Sequence, residues 1–479
     1  MWRTAALKDL KYDLAIIGGG AAGLVSAVSA GAFGAKVALI EKNDRLGGEC
    51  SWTGCVPSKA LISYAEGVHR FNNTFGKSNN FKRIGLKDNK DVFKHIKQIT
   101  ETASKASKTK ELLDRYDVEV FFGDPSFKDN HNIKIGSKNI FARKIILCTG
   151  SSPVIPDIEG MKGDYLTNRE IWDLPEPPES MLIIGAGNIG LEMAQALGRL
   201  GTKIHLFEAK DRILPKDDRE LALELLEIFI KENIDIHLNT RINWIKYRAG
   251  RCTICIGDEN KEFSAEKMLI AVGRKPNTEG LDLEAVGVEY SKSGIIVNKN
   301  LETTATNIWA AGDCNGINQF SHIAEIEAKI AVRNSLFPFS SKVDYQGIPW
   351  TTFTDPELSH LGLTEDQCKD MGLKYNVYRQ PFSGDERAIV EEKQSGRVKI
   401  LATRTGKILG AHILGNHSGE LINEFVLARK KSARIYDIGL TSHVYPTMGM
   451  ALQRATDEWF AEIIRPSWIR KILKLLMLR

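Results

Sequence analysis

Cysteine is scarce. Seven cysteines in 479 residues are too few for a disulfide-stapled scaffold. The expected setting is a reducing, cytoplasmic one, in which a disulfide would be catalytic. Met1 to Lys11 lacks the apolar core of a signal peptide, and no run of 18 apolar residues offers a transmembrane helix. Neither sign of charge dominates. The 65 basic and 60 acidic side chains leave a net charge of +5 spread along the chain, so no nucleic-acid partner is expected. What remains is an ordinary globular composition, 43% hydrophobic and 26% charged, long enough for two to four domains.

Two of the seven cysteines, with four residues between them, stand in Gly47-Gly48-Glu49-Cys50-Ser51-Trp52-Thr53-Gly54-Cys55-Val56-Pro57-Ser58-Lys59, a glycine-bounded loop. Pro57 pre-sets φ for the first turn of a helix. Cys55 then lies near a helix N-terminus, where free N–H groups and the dipole favour a thiolate. Lys59 follows on the same helix face. This is a nucleophilic or redox-active thiol. Cys252 and Cys255 differ: they lie in a strand-like run, face opposite sides, and lack the second pair of a zinc site, so they read as structural.

Two stretches carry the dinucleotide fingerprint, with strand, glycine turn, helix, second strand and acid in order. In the first, Tyr12 to Ile17 precedes Gly18, Gly20 and Gly23, and Val37 to Ile40 ends at Glu41. In the second, Met181 to Ile184 precedes Gly185, Gly187 and Gly190, and Ile204 to Phe207 ends at Glu208. The glycines let backbone approach a pyrophosphate at a helix N-terminus, and the acid accepts hydrogen bonds from a ribose. A carboxylate at Glu208 repels a 2′-phosphate, so NAD(H) is expected in preference to NADP(H), although Lys210 and Arg212 follow closely. A chain that binds two dinucleotides is most simply a hydride-transfer enzyme.

The segment from Gly47 to Leu61 resembles the active-site loop of the FAD-dependent class I pyridine nucleotide-disulfide oxidoreductases, the group of dihydrolipoamide dehydrogenase and mercuric reductase. The resemblance runs over about residues 12 to 460. It implies an α/β fold with two Rossmann-like FAD- and NAD-binding domains, the second inserted in the first, and an α+β C-terminal dimerisation domain. The expected boundaries are 1–150 and 277–344 for the FAD-binding domain, 151–276 for the NAD(P)-binding domain, 345–464 for the interface domain and 465–479 for a basic tail.

The same resemblance assigns roles. The first fingerprint holds the ADP half of FAD, and Gly123 contacts the adenine through its backbone. Thr149 and Gly150 pass close to FAD. Gly273 and Arg274 belong to the segment returning from the NAD domain. Asp313 holds the ribityl chain, and Ala324 lies on a helix whose N-terminus points at the flavin. Glu192 pairs with Lys59 beside the flavin. Cys55 is the thiol next to the flavin and Cys50 the interchange thiol of a redox-active disulfide. A homodimer completes the site across a twofold interface.

The chain also departs from the family. Where the disulfide reductases carry H-P-T-x-S-E, with the histidine as acid/base and the glutamate orienting it, this chain has Tyr445-Pro446-Thr447-Met448-Gly449-Met450. A phenol with pKa near about 10 is a poor base at neutral pH but can donate a hydrogen bond. His443 stands two residues earlier as a substitute without the usual carboxylate partner. Mercuric reductases also lack that histidine, but they carry a C-terminal cysteine pair, and no cysteine follows Cys368 here. The tail from Arg465 to Arg479 holds five basic and no acidic residues, with Trp468, Ile469, Ile472, Leu473 and Leu476 at helical spacing. Such a helix can lie on an anionic membrane surface or pack on the protein itself.

The expected function is therefore transfer of electrons from NADH through FAD and the Cys50–Cys55 pair to a small disulfide, oxidant or metal-ion acceptor. The alternatives are a dihydrolipoyl dehydrogenase-like enzyme and a membrane-associated redox sensor.

Overall fold

The computed structural model describes residues 10–76, 81–464 and 467–477. Most of the N-terminal stretch read for a signal peptide, residues 77–80 and the tips of the basic tail lie outside them.

Three sheets organise the chain. The first has seven strands around a parallel centre: Glu119–Phe122, Val37–Glu41, Leu10–Ile17 and Lys138–Leu147 lie side by side in that order. Ile308–Ala310 adds to the C-terminal half of Lys138–Leu147, in parallel. Asn132–Ile135 and Pro125–Phe127 extend the sheet in antiparallel fashion. Leu14, Ala15 and Ile16 are wholly buried, as expected for strands covered on both faces. Helices Ala21–Ala32 and Ser321–Leu336 pack on the sheet through alanines 22, 27, 30, 324, 328 and 331, whose small side chains permit close approach.

The second sheet is fully parallel, in the order Asp235–His237, Lys203–Phe207, Ser180–Ile184, Lys267–Ile270. A three-stranded antiparallel sheet, Ile242–Arg248, Arg251–Ile256 and Lys261–Ala265, covers one side of it. Cys252 and Cys255 lie on its middle strand, both buried, with Cys252 Sγ 3.6 Å from Met268 Sδ and Cys255 Sγ 3.4 Å from Asn260 Oδ1. The chain enters this unit through Ser151–Pro153 and leaves it through Arg274–Pro276, and those two segments pair antiparallel. An α/β unit is thus inserted into another by two adjacent backbone crossings.

The third sheet is antiparallel, in the order Pro349–Thr352, Glu357–Gly362, Ile408–Gly415, Arg397–Ala402, Asn376–Pro381. Helices Ser418–Lys430 and Met450–Ile464 cover it through Ile422, Phe425, Leu452 and Ala455. The tail contains a helix, Ser467–Met477, with Ile472, Leu475, Leu476 and Met477 exposed. No helix among the described residues is long and apolar enough to cross a membrane.

Candidate active site

The cysteine segment is not a loop. Cys50 sits on a short helix, Gly48–Trp52, and Cys55 is the first residue of a second, Cys55–Thr74. The glycine pair before them has a steric reason. Gly48 has φ +58°, and a Cβ there would lie 2.7 Å from the Cα of Gly20, so the short helix is laid directly against the first fingerprint turn. Trp52 then anchors it, donating from Nε1 to the carbonyl of Leu46 at 2.7 Å.

Cys50 and Cys55 stand as free thiols, Cys50 partly buried and Cys55 exposed. The Cys50 thiol donates to Cys55 and is itself held well above the ordinary thiol range, by that bond and by burial. Cys55 is lowered to about 6, first by the Cys50 hydrogen bond, then by Ser321 and by the charge of Lys59, against the opposing effects of burial and Glu192. Ser321 Oγ lies 3.4 Å from Cys55 Sγ. Cys55 therefore carries the thiolate, at a helix N-terminus whose backbone N–H groups add to its stabilisation.

Lys59 Nζ sits 2.8 Å from Glu192 Oε2 and 4.4 Å above the Phe353 ring. Glu192 is buried, and its other oxygen accepts from the Phe353 N–H at 3.0 Å. This ion pair bridges the cysteine helix, the second fingerprint helix Asn188–Arg199 and the third sheet.

The two fingerprints are built alike. A Cβ on Gly18 would meet the Cys148 carbonyl oxygen at 2.2 Å, and one on Gly23 the Gly18 carbonyl oxygen at 1.7 Å. In the second site, Gly185 would meet the Ala271 carbonyl oxygen at 2.4 Å and Gly190 the Gly185 carbonyl oxygen at 1.9 Å. The middle glycines differ. A Cβ on Gly20 meets nothing nearer than 3.8 Å, and one on Gly187 nothing within 4 Å. Both residues precede helices with no side-chain cap. Uncapped N–H groups facing open space at both turns fit a pyrophosphate in each. The acids complete the parallel: Glu41 Oε2 accepts from Gly19 N–H at 2.7 Å, and Glu208 Oε2 from Ala186 N–H at 2.8 Å.

Gly123 and Gly273 adopt positive φ, +140° and +134°, at the ends of their strands. Thr149 and Asn277 clasp each other beside Gly150, with Thr149 Oγ1 donating to the Asn277 carbonyl at 2.6 Å and Asn277 Nδ2 to the Thr149 carbonyl at 2.8 Å. Asp313 Oδ2 accepts from Ser151 Oγ at 2.6 Å, and burial pushes its carboxyl up. Ala324 is buried close to Gly312, on the helix that also presents Ser321 to Cys55. The guanidinium of Arg274 is engaged within the protein, donating to Glu49, to Ser151 Oγ at 2.7 Å and to the Ser151 carbonyl at 2.8 Å. Glu49, next to Cys50, also takes Arg169, and these two arginines hold its carboxyl below the usual range in spite of burial.

One reading of the sequence is corrected. His443 has a carboxylate partner: its Nε2 lies 3.1 Å from both oxygens of Glu424, and its Nδ1 2.9 Å from the Thr441 carbonyl. Glu424 lies 19 residues earlier, on the helix Ser418–Lys430. Tyr445 is 64% exposed, beside the exposed Leu440 and Val444. Neither His443 nor Tyr445 is hydrogen-bonded to the cysteines of its own chain.

Sequence reasoning missed Ser321, Glu49, Glu424 and Glu327. Glu327 is completely buried and holds the turn that carries Asp313, accepting from Gly312 N–H and Asn315 Nδ2 at 2.7 Å each. Only Ser321 left a local signal: the helix expected from about Ile323 begins two residues earlier, at Ser321.

The family profile described as pyridine nucleotide-disulphide oxidoreductase matches residues 12–328, and its dimerisation domain matches residues 348–456. The chain is 32% identical over 461 residues to a mercuric reductase of Lysinibacillus sphaericus, covering 94% of this chain and 83% of that protein. It is 33% identical over 463 residues to dihydrolipoyl dehydrogenase 3 of Pseudomonas putida, covering 93% and 97%. The HOCl-induced flavoprotein disulfide reductase RclA from Escherichia coli superposes with a TM-score of 0.83 at 28% identity, covering 93% of this chain and 99% of that one. The dimerisation domain supports a homodimer. A dithiol beside two dinucleotide cradles is what this family is built around, and the chain belongs to the pyridine nucleotide-disulfide oxidoreductases as an FAD-dependent enzyme.

Proposed function

We propose that the enzyme reduces a small disulfide, oxidant or metal-ion acceptor with electrons from NADH, by way of the Cys50–Cys55 pair. The observation that carries this reading is the placement of Cys55 at a helix N-terminus, with Ser321 Oγ 3.4 Å from its sulfur, Lys59, paired with Glu192, on the same helix and Cys50 on the short helix before it. FAD, held by the first fingerprint, Gly123, Thr149, Gly150 and Asp313, supplies two-electron transfer between reduced nicotinamide and the disulfide. The balanced half-reaction is NADH plus one proton plus disulfide to NAD⁺ plus dithiol. Cys55 would be the thiol that exchanges electrons with bound FAD, and Cys50, once deprotonated, would attack the acceptor, because the thiolate is the nucleophile. The His443–Glu424 pair, in a dimer that joins two such surfaces, is the group we assign to that proton transfer.

NADH is favoured over NADPH by Glu208 and by the posture of Arg212. Arg212 Nη2 donates to the Pro215 carbonyl at 2.8 Å and its Nη1 lies 3.7 Å from Asp366, so the guanidinium is turned away from a 2′-phosphate clamp. The exposed apolar side chains of Ser467–Met477 support a peripheral membrane contact, which liposome co-sedimentation tests.

The deciding experiment is an anaerobic titration of the FAD-loaded protein with NADH and, separately, NADPH, with free thiols counted. Two new thiols per two electrons, with NADH the tighter donor, support the relay. Flavin reduction without new thiols refutes it. The likeness to a dihydrolipoyl dehydrogenase carries a second reading, which NAD⁺ reduction by dihydrolipoamide would establish.

A further inference from the structure

The second nucleotide sheet carries a cluster that the redox reading does not use. His205 lies on the strand Lys203–Phe207, and Asp235 and His237 on its edge neighbour Asp235–His237. Register pairs Asp235 with His205, and Asp235 and His237 are two apart, so all three side chains share one face. His205 Nδ1 is 2.7 Å from Asp235 Oδ2, and His237 Nε2 is 3.0 Å from that same oxygen. The three atoms all lie within 4.8 Å of one another.

As a purely structural hydrogen-bond cluster this is incomplete. His205 makes an aligned bond to Asp235, whereas His237 Nε2, 3.0 Å from the same oxygen and shielded from solvent, lacks an aligned hydrogen bond. A shielded nitrogen whose bond is poorly aligned is open to a better-placed ligand. The rings are fixed by aromatic packing. Phe207 stacks on His237 at 4.8 Å, and Phe263 meets His237 edge-on at 4.7 Å and His205 at 5.4 Å. The Asp235 side chain is 49% exposed, which leaves its carboxylate free to shift and one side of the cluster open to solvent.

We infer that His205, Asp235 and His237 form a binding site for a borderline divalent cation of the zinc, copper or nickel class, separate from the dithiol. Two imidazoles and one carboxylate suit such ions better than magnesium or calcium, which take oxygen ligands. Metal–ligand bonds of about 2.0–2.2 Å in tetrahedral geometry place ligand atoms roughly 3.4 Å apart. From the present 2.7 and 3.0 Å, the carboxylate oxygen must withdraw by about 0.4–0.7 Å and the two imidazole nitrogens, within 4.8 Å of each other, must close on the ion, with a water in the fourth position. The site also bears on the nucleotide cradle. The Glu208 N–H donates to the His237 carbonyl at 2.9 Å, so the site is joined through the backbone to the acid assigned to the ribose.

The test is a Co²⁺ titration of the untagged, FAD-loaded protein with its dithiol oxidised, so that the active-site sulfurs are unavailable as ligands. The expected result is one Co²⁺ per chain, with visible ligand-field bands and no thiolate charge-transfer band, displaced by Zn²⁺. D235N should weaken binding at least tenfold, the double variant H205N/H237N should abolish it, and C50S should leave it unchanged. Retained FAD certifies that each variant is folded, and normal reduction by NADH does so in addition for D235N and the double variant; if the double variant fails that check, D235N decides. Absence of saturable binding in the parent, binding that persists in D235N at full strength, or binding lost in C50S overturns the assignment.

Discussion

Ser321 offers the sharpest test of the thiolate. Its hydroxyl is 3.4 Å from Cys55 Sγ, and it belongs to a helix 266 residues away in sequence. Ser321→Ala removes that donor and little else. A hydrogen bond to a charged group contributes roughly 1.5–3 kcal/mol. The sulfur acceptor and the long distance put this one just below that range, about 1.4 kcal/mol, or one pH unit. The Cys55 midpoint, about 6 in the parent, should therefore move to about 7. The direction follows from charge: the bond favours the thiolate, so its loss favours the thiol. At pH 6 the thiolate fraction should fall about fivefold, at pH 7 about twofold, and above about pH 9 not at all. The assay is the pH dependence of iodoacetamide alkylation of the reduced enzyme, with modification mapped to Cys55 by mass. Rates must be normalised to the alkaline plateau, because a more basic thiolate is intrinsically more nucleophilic. A midpoint that stays within about 0.2 units of the parent refutes the argument, since the hydroxyl would then contribute nothing to the charged form.

Lys59→Met strands the buried Glu192 carboxylate with the Phe353 N–H as its remaining donor and should cost about 2 kcal/mol in urea unfolding, besides raising the Cys55 midpoint. Gly48→Ala places a Cβ 2.7 Å from the Gly20 Cα at φ +58°, so it should destabilise the fold by about 1–3 kcal/mol and weaken FAD retention, read by thermal release of flavin fluorescence. Glu208→Ala should narrow the preference for NADH over NADPH, measured as the ratio of kcat/KM values, and leave Cys55 alkylation unchanged. His443→Gln should slow turnover with the acceptor while leaving reduction of the dithiol by NADH intact in stopped flow; loss of both half-reactions would remove His443 from the proton-transfer role.

Local sequence carried much of the fold and part of the site. The fingerprints were legible because strand, glycine turn and acid are neighbours in sequence, and their backbone geometry is dictated within about 25 residues. Gly23 is a glycine for a contact made inside that unit, against the Gly18 carbonyl, whereas Gly18 is closed on by the Cys148 carbonyl of a neighbouring strand's end, which the fingerprint itself does not show. The cysteine segment was legible as chemistry but not as shape. Two glycines suggested a loop, yet Gly47 and Gly48 take up the left-handed turn that lets a short helix begin at once. What stayed hidden depends on chain segments far apart: Glu49 meets Arg274 across 225 residues, and Cys55 meets Ser321 across 266. No periodicity reports such a meeting, because it is fixed by how the inserted unit returns to the first sheet.

The missing His-Glu motif shows the same limit in reverse. Read along the chain, Tyr445 stands where a base should be, and His443 seems to lack the carboxylate that would orient it. Folding supplies one from the preceding helix. Glu424 faces His443 Nε2 with both oxygens while the Thr441 carbonyl takes Nδ1, so the ring is held from both sides. An imidazole gripped by a carboxylate and a carbonyl is oriented for proton transfer whatever the spacing in sequence. Beside it, Leu440, Val444 and Tyr445 stay exposed in a chain whose C-terminal domain is a dimerisation domain. Apolar side chains so placed are best accounted for by burial against a second copy. A different pair of residues, His443 and Glu424, is thus assembled by tertiary structure beside an exposed apolar surface of the dimerisation domain.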